Sequence, residues 1–135
     1  MNFFLDTDIC VFAIRGKYPR LMKTFQAVRP ASVKISAIVV AELLFGARKS
    51  QHSLTAQKAV DAFLAPYEIV NFDRPICDVY SSIRLDLETA GQQIGANDLI
   101  IAATALAHHG TLVTHNTKEF ARVPGLKLQD WTLNE

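Results

Sequence analysis

The chain has 135 residues, half of them apolar and a fifth charged, and a formal net charge of +1. That length suits one core rather than two, and the balance excludes a disordered chain. No apolar run reaches the roughly eighteen residues of a membrane span, and Asp6 and Asp8 interrupt the N-terminal run that a signal peptide would need, so a cytoplasmic protein is expected.

Asn2–Leu5 is short and apolar and reads as a buried strand. Helical spacing follows over 18–28, and Val33–Ile35 is a second strand. Helical spacing then covers 37–49 and 53–65, with Ser53 suited to cap the latter. Ile69–Phe72 is a third strand. The segment 75–90 opens on Pro75, and 98–109 has Asn97 as its expected cap. Gly91 and Gly110 stand where C-terminal glycines belong, and Thr111–Thr114 is a fourth strand. Strands alternating with helices predict a single α/β domain over 1–135, its parallel sheet covered on both faces.

In such sheets chemistry gathers at the carboxyl ends of the strands. The first strand ends at Asp6, with Asp8 two residues on; the second runs into Ser36 and the helix holding Glu42; the fourth ends at Thr114-His115-Asn116. Asp6, Glu42 and Asp98 each interrupt an apolar stretch. Acidic side chains are rarely buried without partners, and clustered carboxylates repel unless protons or cations intervene. Hard oxygen donors suit Mg²⁺ or Mn²⁺, which bind substrate phosphate readily. Asp98 also has a local explanation, as an acid in the first turn of its helix. Glu42, mid-helix among apolar residues, has none.

Charge is unevenly spread. Between Asp8 and Glu42 there is no acid but there are six bases, Arg15, Lys17, Arg20, Lys23, Arg29 and Lys34. Such a segment either tracks a phosphate backbone or is a solvated basic helix face. Cys10 and Cys77 have neither disulfide-framework nor metal-site spacing and read as partly buried thiols. Ser36, Thr114 and the cysteines lack the partners of a nucleophilic triad. Of the scattered histidines only His115 falls near the proposed site.

Four segments resemble the motifs of PIN domains, in order and at the right spacing. Phe4-Leu5-Asp6-Thr7-Asp8-Ile9 resembles the first, and Ser36 to Ala47, containing Glu42-Leu43-Leu44-Phe45-Gly46, resembles the second motif of VapC-like toxins. Gly91 to Ala103, containing Asn97-Asp98, resembles the third, and Leu112 to Phe120 the fourth; the ending Leu126 to Trp131 also fits. The resemblance covers nearly the whole chain. It implies a three-layer α/β/α fold with a central parallel sheet of four or five strands. It further implies a toxin endoribonuclease that hydrolyses RNA phosphodiester bonds with Mg²⁺ or Mn²⁺, with tRNA a frequent target. A homodimer is implied too, and a VapB-type antitoxin that inserts into the active-site groove.

Carried over by position, Asp6, Glu42 and Asp98 are the expected catalytic and metal-binding carboxylates. Two departures stand out. Asp8 replaces a common Asn, and either orients Asp6, caps the following helix or adds negative charge. Asn116 replaces the fourth acid of many PIN domains, with Glu119 three residues on, so Thr114, Asn116 and Glu119 are candidates for a fourth position or its support. Arg15, Lys17, Arg20, Arg48, Lys49 and Arg84 are candidate RNA contacts.

Two alternatives compete. Asp6-Thr7-Asp8 after an apolar strand also resembles the first motif of haloacid-dehalogenase-type phosphatases, with Asp6 as nucleophile and Asp8 as general acid. Against it, Cys10 stands where Thr or Val is usual, no suitable lysine precedes Asp98, and Glu42 would have no role. The other alternative is a catalytically inactive RNA-binding PIN domain, favoured only by Asn116. A receiver-type signalling domain lacks correctly placed Asp and Lys residues.

Overall fold

The computed structural model describes residues 1–133. The chain runs β1 (Phe3–Leu5), α1 (Thr7–Ile14), α2 (Pro19–Ala27), a 3-10 turn (Pro30–Ser32), β2 (Val33–Ser36), α3 (Ala37–Lys49), α4 (Ser53–Leu64), β3 (Glu68–Val70), α5 (Arg74–Thr89), α6 (Ala96–Ala107), β4 (Thr111–Val113), α7 (Thr117–Phe120) and β5 (Lys127–Gln129). The five strands are all parallel and lie in the order β3-β2-β1-β4-β5, flanked by the helices. This is the expected α/β architecture. Positions 134–135 of the expected domain lie outside the described residues. No helix among the described residues is long and apolar enough to cross a membrane.

The central strands are short and buried on both faces, as parallel strands under helices are. Phe4 and Leu5 of β1, Val33 and Ile35 of β2, and Leu112 and Val113 of β4 are all within 1% of full burial. The helix α3 matches its expected range, and buries Val39, Leu43 and Ala47 at a spacing of one turn. In α6, Leu99 and the run from Ile101 to Ala105 are buried as well.

Several expectations are corrected. The segment Thr7–Ile14 is a helix that the apolar pattern hides: Ile9, Cys10 and Ala13 are buried, the other apolar residues half-buried, so no polar stripe marks it. β3 lies at Glu68–Val70, leaving Phe72 outside it and 44% exposed. Ser53 is the first helical residue of α4, after His52 at the cap. Gly95 holds the cap position of α6, which frees the Asn97 amide for the site described below. Cys10 is fully buried, not partly.

Of the two glycines expected at helix ends, Gly91 does adopt the left-handed conformation, at φ +67°. Gly110 does not; His109 takes that role at φ +53°. Gly110 is needed for space, because a Cβ there would stand 2.6 Å from the Phe4 ring.

The strand order fixes where a site can form. From β1 the chain moves toward β2, and from β4 it moves the opposite way, toward β5. A crevice opens at the carboxyl ends of β1 and β4, where the two connections diverge.

Candidate active site

Asp6 follows β1 directly and is 5% exposed. It is the N-cap of α1: its Oδ1 accepts from the Ile9 amide at 2.9 Å, while Oδ2 accepts from the Thr114 hydroxyl at the end of β4. Thr114, fully buried, also accepts from the Asn116 amide at 3.0 Å. The backbone of α1 thus requires this carboxylate as a cap, and the sheet requires it to be buried.

Glu42 reaches the same crevice from α3. Its two oxygens accept from the Thr7 hydroxyl and from the Asn97 amide, the latter at 3.2 Å. Asp98 projects from the first turn of α6 and is hydrogen-bonded to Glu119. Glu119 in turn accepts from the Asn116 side chain at 2.8 Å and from the Gly95 amide at 3.3 Å. Asp6, Thr7, Asp8, Glu42, Asp98, Asn116 and Phe120 line a cavity of about 120 Å³. That is room for a cation and a few waters.

The electrostatics match a cluster of like charges. Burial pushes the Asp6 carboxyl up to about 6, against the hydrogen bonds from Thr114 and Ile9; the charges of Asp8 and Asp130 add to the rise. Asp98 is pushed up to about 7, first by burial, then by its hydrogen bond to Glu119 and the charge there, then by the charges of Asp6 and Glu42. Burial would raise Glu119 as well, but Asn116, Asp98, the Gly95 amide and the Arg122 charge hold it below the usual range. Of the pair, Asp98 is the one that holds a proton more readily and Glu119 the one that stays charged. Protons hold together what cations would otherwise hold.

Among the described residues no three carboxylate, thiol or imidazole groups stand close enough to enclose an ion as they are. The donor set still suits a hard divalent cation: carboxylate and amide oxygens, net negative charge and two raised acids around one cavity. Thr7 and Asn97 hold Glu42; the sequence marks Asn97 as a helix cap and part of the third motif, not as a site residue. The Asp-Thr-Asp spacing was the only signal for Thr7.

Asp8 is exposed in the first turn of α1. Since Asp6 is itself the cap, the Asp8 charge is what reaches the site. His115 does not line the cavity; its Nδ1 lies 3.0 Å from both Asp130 and Thr132.

The basic candidates divide. Arg15 shares a groove of about 240 Å³ with Glu42 between α1, α3 and α4. Lys49 lines a second groove with Thr7, Glu42 and Asn97, its ammonium 4.8 Å from the Phe45 ring centroid. Lys17 stands over Phe12 and Tyr18, and Arg20 and Arg48 are exposed near these elements. Arg84 is not brought to the site. It pairs with Glu88 at 2.7 Å and with the Tyr80 hydroxyl, beside a separate groove between α5 and α6. Lys34, from the same acid-free stretch, is paired with Glu68 at 3.0 Å on the sheet.

The PIN domain family model matches residues 3–126. Ribonuclease VapC2 of Rickettsia felis is 40% identical over 132 residues, which is 97% of this chain and 98% of that protein. The chain is a PIN domain of the VapC ribonuclease family. The tRNA(fMet)-specific endonuclease VapC of Shigella flexneri is 32% identical, over 98% of this chain and 99% of that one. The crystal structure of VapBC2 from Rickettsia felis, bound to a DNA fragment from its promoter, has a chain 39% identical that superimposes with a TM-score of 0.91, covering 97% of this chain and 99% of that one. Membership of the VapC family does not favour the phosphatase alternative, which left Glu42 without a role.

Proposed function

We propose that this chain is a toxin endoribonuclease that hydrolyses RNA phosphodiester bonds with Mg²⁺ or Mn²⁺ held by Asp6, Glu42 and Asp98. The observation that carries the reading is the convergence of these three acids, from three separate elements, on one cavity at the point where the sheet's connections diverge. A divalent cation bound there would supply Lewis acidity to offset charge building on the phosphate. The chain's own residues do the rest. Asp6 is held rigid by the α1 cap and Thr114, and Glu42 is aimed by Thr7 and Asn97. Asn116 at the cavity wall and Glu119 behind Asp98 act as support rather than as a fourth metal-binding acid. A cation bound there would compete with protons on Asp6 and Asp98, so binding would release protons near and below pH 7.

The Shigella relative's name makes tRNA the first substrate to test, which would place the protein in the cytoplasm. The VapBC complex of Rickettsia felis supports a VapB-type antitoxin as partner. An apolar groove along Ile38, Ala41, Val70, Phe72 and Ile100 offers a surface for a second copy, consistent with a homodimer.

The test is cleavage of total bacterial RNA by purified protein with Mg²⁺ or Mn²⁺, beside Asp6→Asn and Glu42→Gln. Discrete fragments from the wild type alone are expected. Cleavage that survives EDTA would remove the metal, and RNA binding without cleavage would leave the inactive PIN domain.

A further inference from the structure

We propose that Phe12, Tyr18 and His115 form a subsite that stacks one unpaired RNA base beside the scissile phosphodiester. This rests on the ribonuclease reading above and adds a specificity-determining contact to it.

The subsite adjoins the carboxylate cavity along the chain. His115 lies between Thr114, which donates to Asp6, and Asn116, which lines the cavity. The charge on Asp130, the partner of His115, is felt at Asp6. A nucleotide whose phosphate occupies the cavity would therefore have a neighbour over His115.

The His115 ring is both exposed and fixed. Its side chain is 52% exposed, yet Nδ1 sits 3.0 Å from the Asp130 carboxylate, whose own side chain is only 6% exposed. Thr132 completes the arrangement: its hydroxyl lies 3.0 Å from the same Nδ1 and donates to Asp130 at 2.6 Å. Ordering an exposed ring adds little to a core. A ring held in advance lowers the entropy cost of binding whatever lands on it.

The neighbours of that ring are what a base requires. Tyr18 lies 6.1 Å away, tilted by 36°, and Phe12 lies 6.3 Å away; the two pack edge-to-face at 5.1 Å. Both are half-buried and keep part of their surface open. Tyr18 has φ +61°, a left-handed backbone that a tyrosine seldom adopts, and such strain concentrates at functional positions. Flat π-faces of this kind accept any unpaired base.

Charge selects the ligand. Lys17 Nζ lies 5.4 Å from the Phe12 centroid and 5.7 Å from that of Tyr18, so a cation borders the rings where a base would bring its phosphate. No acid occurs between Asp8 and Glu42. With Nδ1 engaged, Nε2 is the His115 nitrogen left to meet a base edge or a phosphate oxygen.

The experiment uses short single-stranded oligoribonucleotides spanning a mapped cut site, each with one nucleotide made abasic. Affinity is read by fluorescence anisotropy in EDTA, so that nothing is cut. The wild type is expected to lose roughly five- to a hundredfold at one position next to the cut. His115→Ala should show that loss on intact RNA and no further loss with the abasic strand, while His115→Phe should restore much of the affinity. A wild type indifferent to every abasic position, or a His115→Ala variant that binds intact RNA normally, would overturn the subsite while leaving the ribonuclease reading in place. A wild type that neither binds nor cuts any RNA would bring down both. If His115→Ala spared RNA and weakened a VapB-type partner instead, the face would belong to that protein and the proposal would fail.

Discussion

Asp6 and Asp130 occupy equivalent places and behave in opposite ways. Each directly follows a strand, β1 or β5, and each is nearly buried. Each accepts a backbone amide, from Ile9 or Thr132, and a threonine hydroxyl, from Thr114 or Thr132. Burial raises both. At Asp6 it prevails, aided by the charges of Asp8 and Asp130, and the carboxyl stands at about 6. At Asp130 the Thr132 hydroxyl and amide and the His115 ring outweigh it, and the carboxyl is held below the usual range. Hydrogen bonds alone do not decide whether a buried carboxylate is content. Depth of burial comes first, and the sign of its remaining neighbours adds to it; at Asp6 both favour a cation.

The sharpest way to break this contrast is to neutralise each acid in turn. Asp6→Asn keeps the α1 cap, because the amide oxygen can still accept from Ile9. Activity on RNA should fall more than about a hundredfold, beyond the 10–100-fold usual for outer-shell partners. Stability should nevertheless rise at pH 8: a shift from 3.8 to about 6 corresponds to at most ~3 kcal/mol of charge burial relieved. Asp130→Asn should move stability the other way, by roughly 1.5–3 kcal/mol, the worth of hydrogen bonds to a charged group. Urea unfolding of both variants at pH 8 checks the pair. Equal signs would sink the comparison.

A cation should erase the penalty at Asp6. In the metal-free protein the stability associated with Asp6 is fully present below its ordinary value of 3.8 and is lost as pH rises through about 6. Asp98 extends the loss through about 7. Unfolding midpoints should therefore decline between pH 4 and 7, and decline less in Asp6→Asn, which keeps only the Asp98 contribution. Added Mg²⁺ or Mn²⁺ should restore about 2.7 kcal/mol at a hundred times its Kd, more at pH 8 than at pH 5. Cleavage activity should climb over the same interval. A metal response equal at both pH values would mean that these acids do not hold it.

Much of this was legible in the sequence. Asp6, Glu42 and Asp98 stand out because each breaks an apolar run that burial otherwise explains, and four strands announce themselves by composition. What escaped did so for physical reasons. Beyond Asp8, α1 is apolar on every side, so no period separates it from a strand. β5 is three residues long at a sheet edge, with alternating exposure and no run. Gly110 looks like a cap, yet it makes room for Phe4, a contact that only the pairing of β1 with β4 creates. His115 lies fifteen residues from Asp130 and seventeen from Thr132, and meets them only where β4 pairs with β5. Local pattern reports burial; it does not report which strands are neighbours.

The smallest expected effect separates the basic residues. Lys49 shares a groove with Thr7, Glu42 and Asn97, whereas Arg84 is spent on Glu88 and Tyr80 beside another groove. If Lys49 meets one phosphate of the RNA, Lys49→Ala should lower the slope of log affinity against log salt by about 1, uniformly across sequences. Arg84→Ala should leave that slope alone, since its charge is already compensated and faces away from the carboxylate cavity. The measurement is binding at several salt concentrations in EDTA. A slope change at Arg84 and none at Lys49 would place the RNA path across α5 and α6, and would detach it from the Glu42 side of the site.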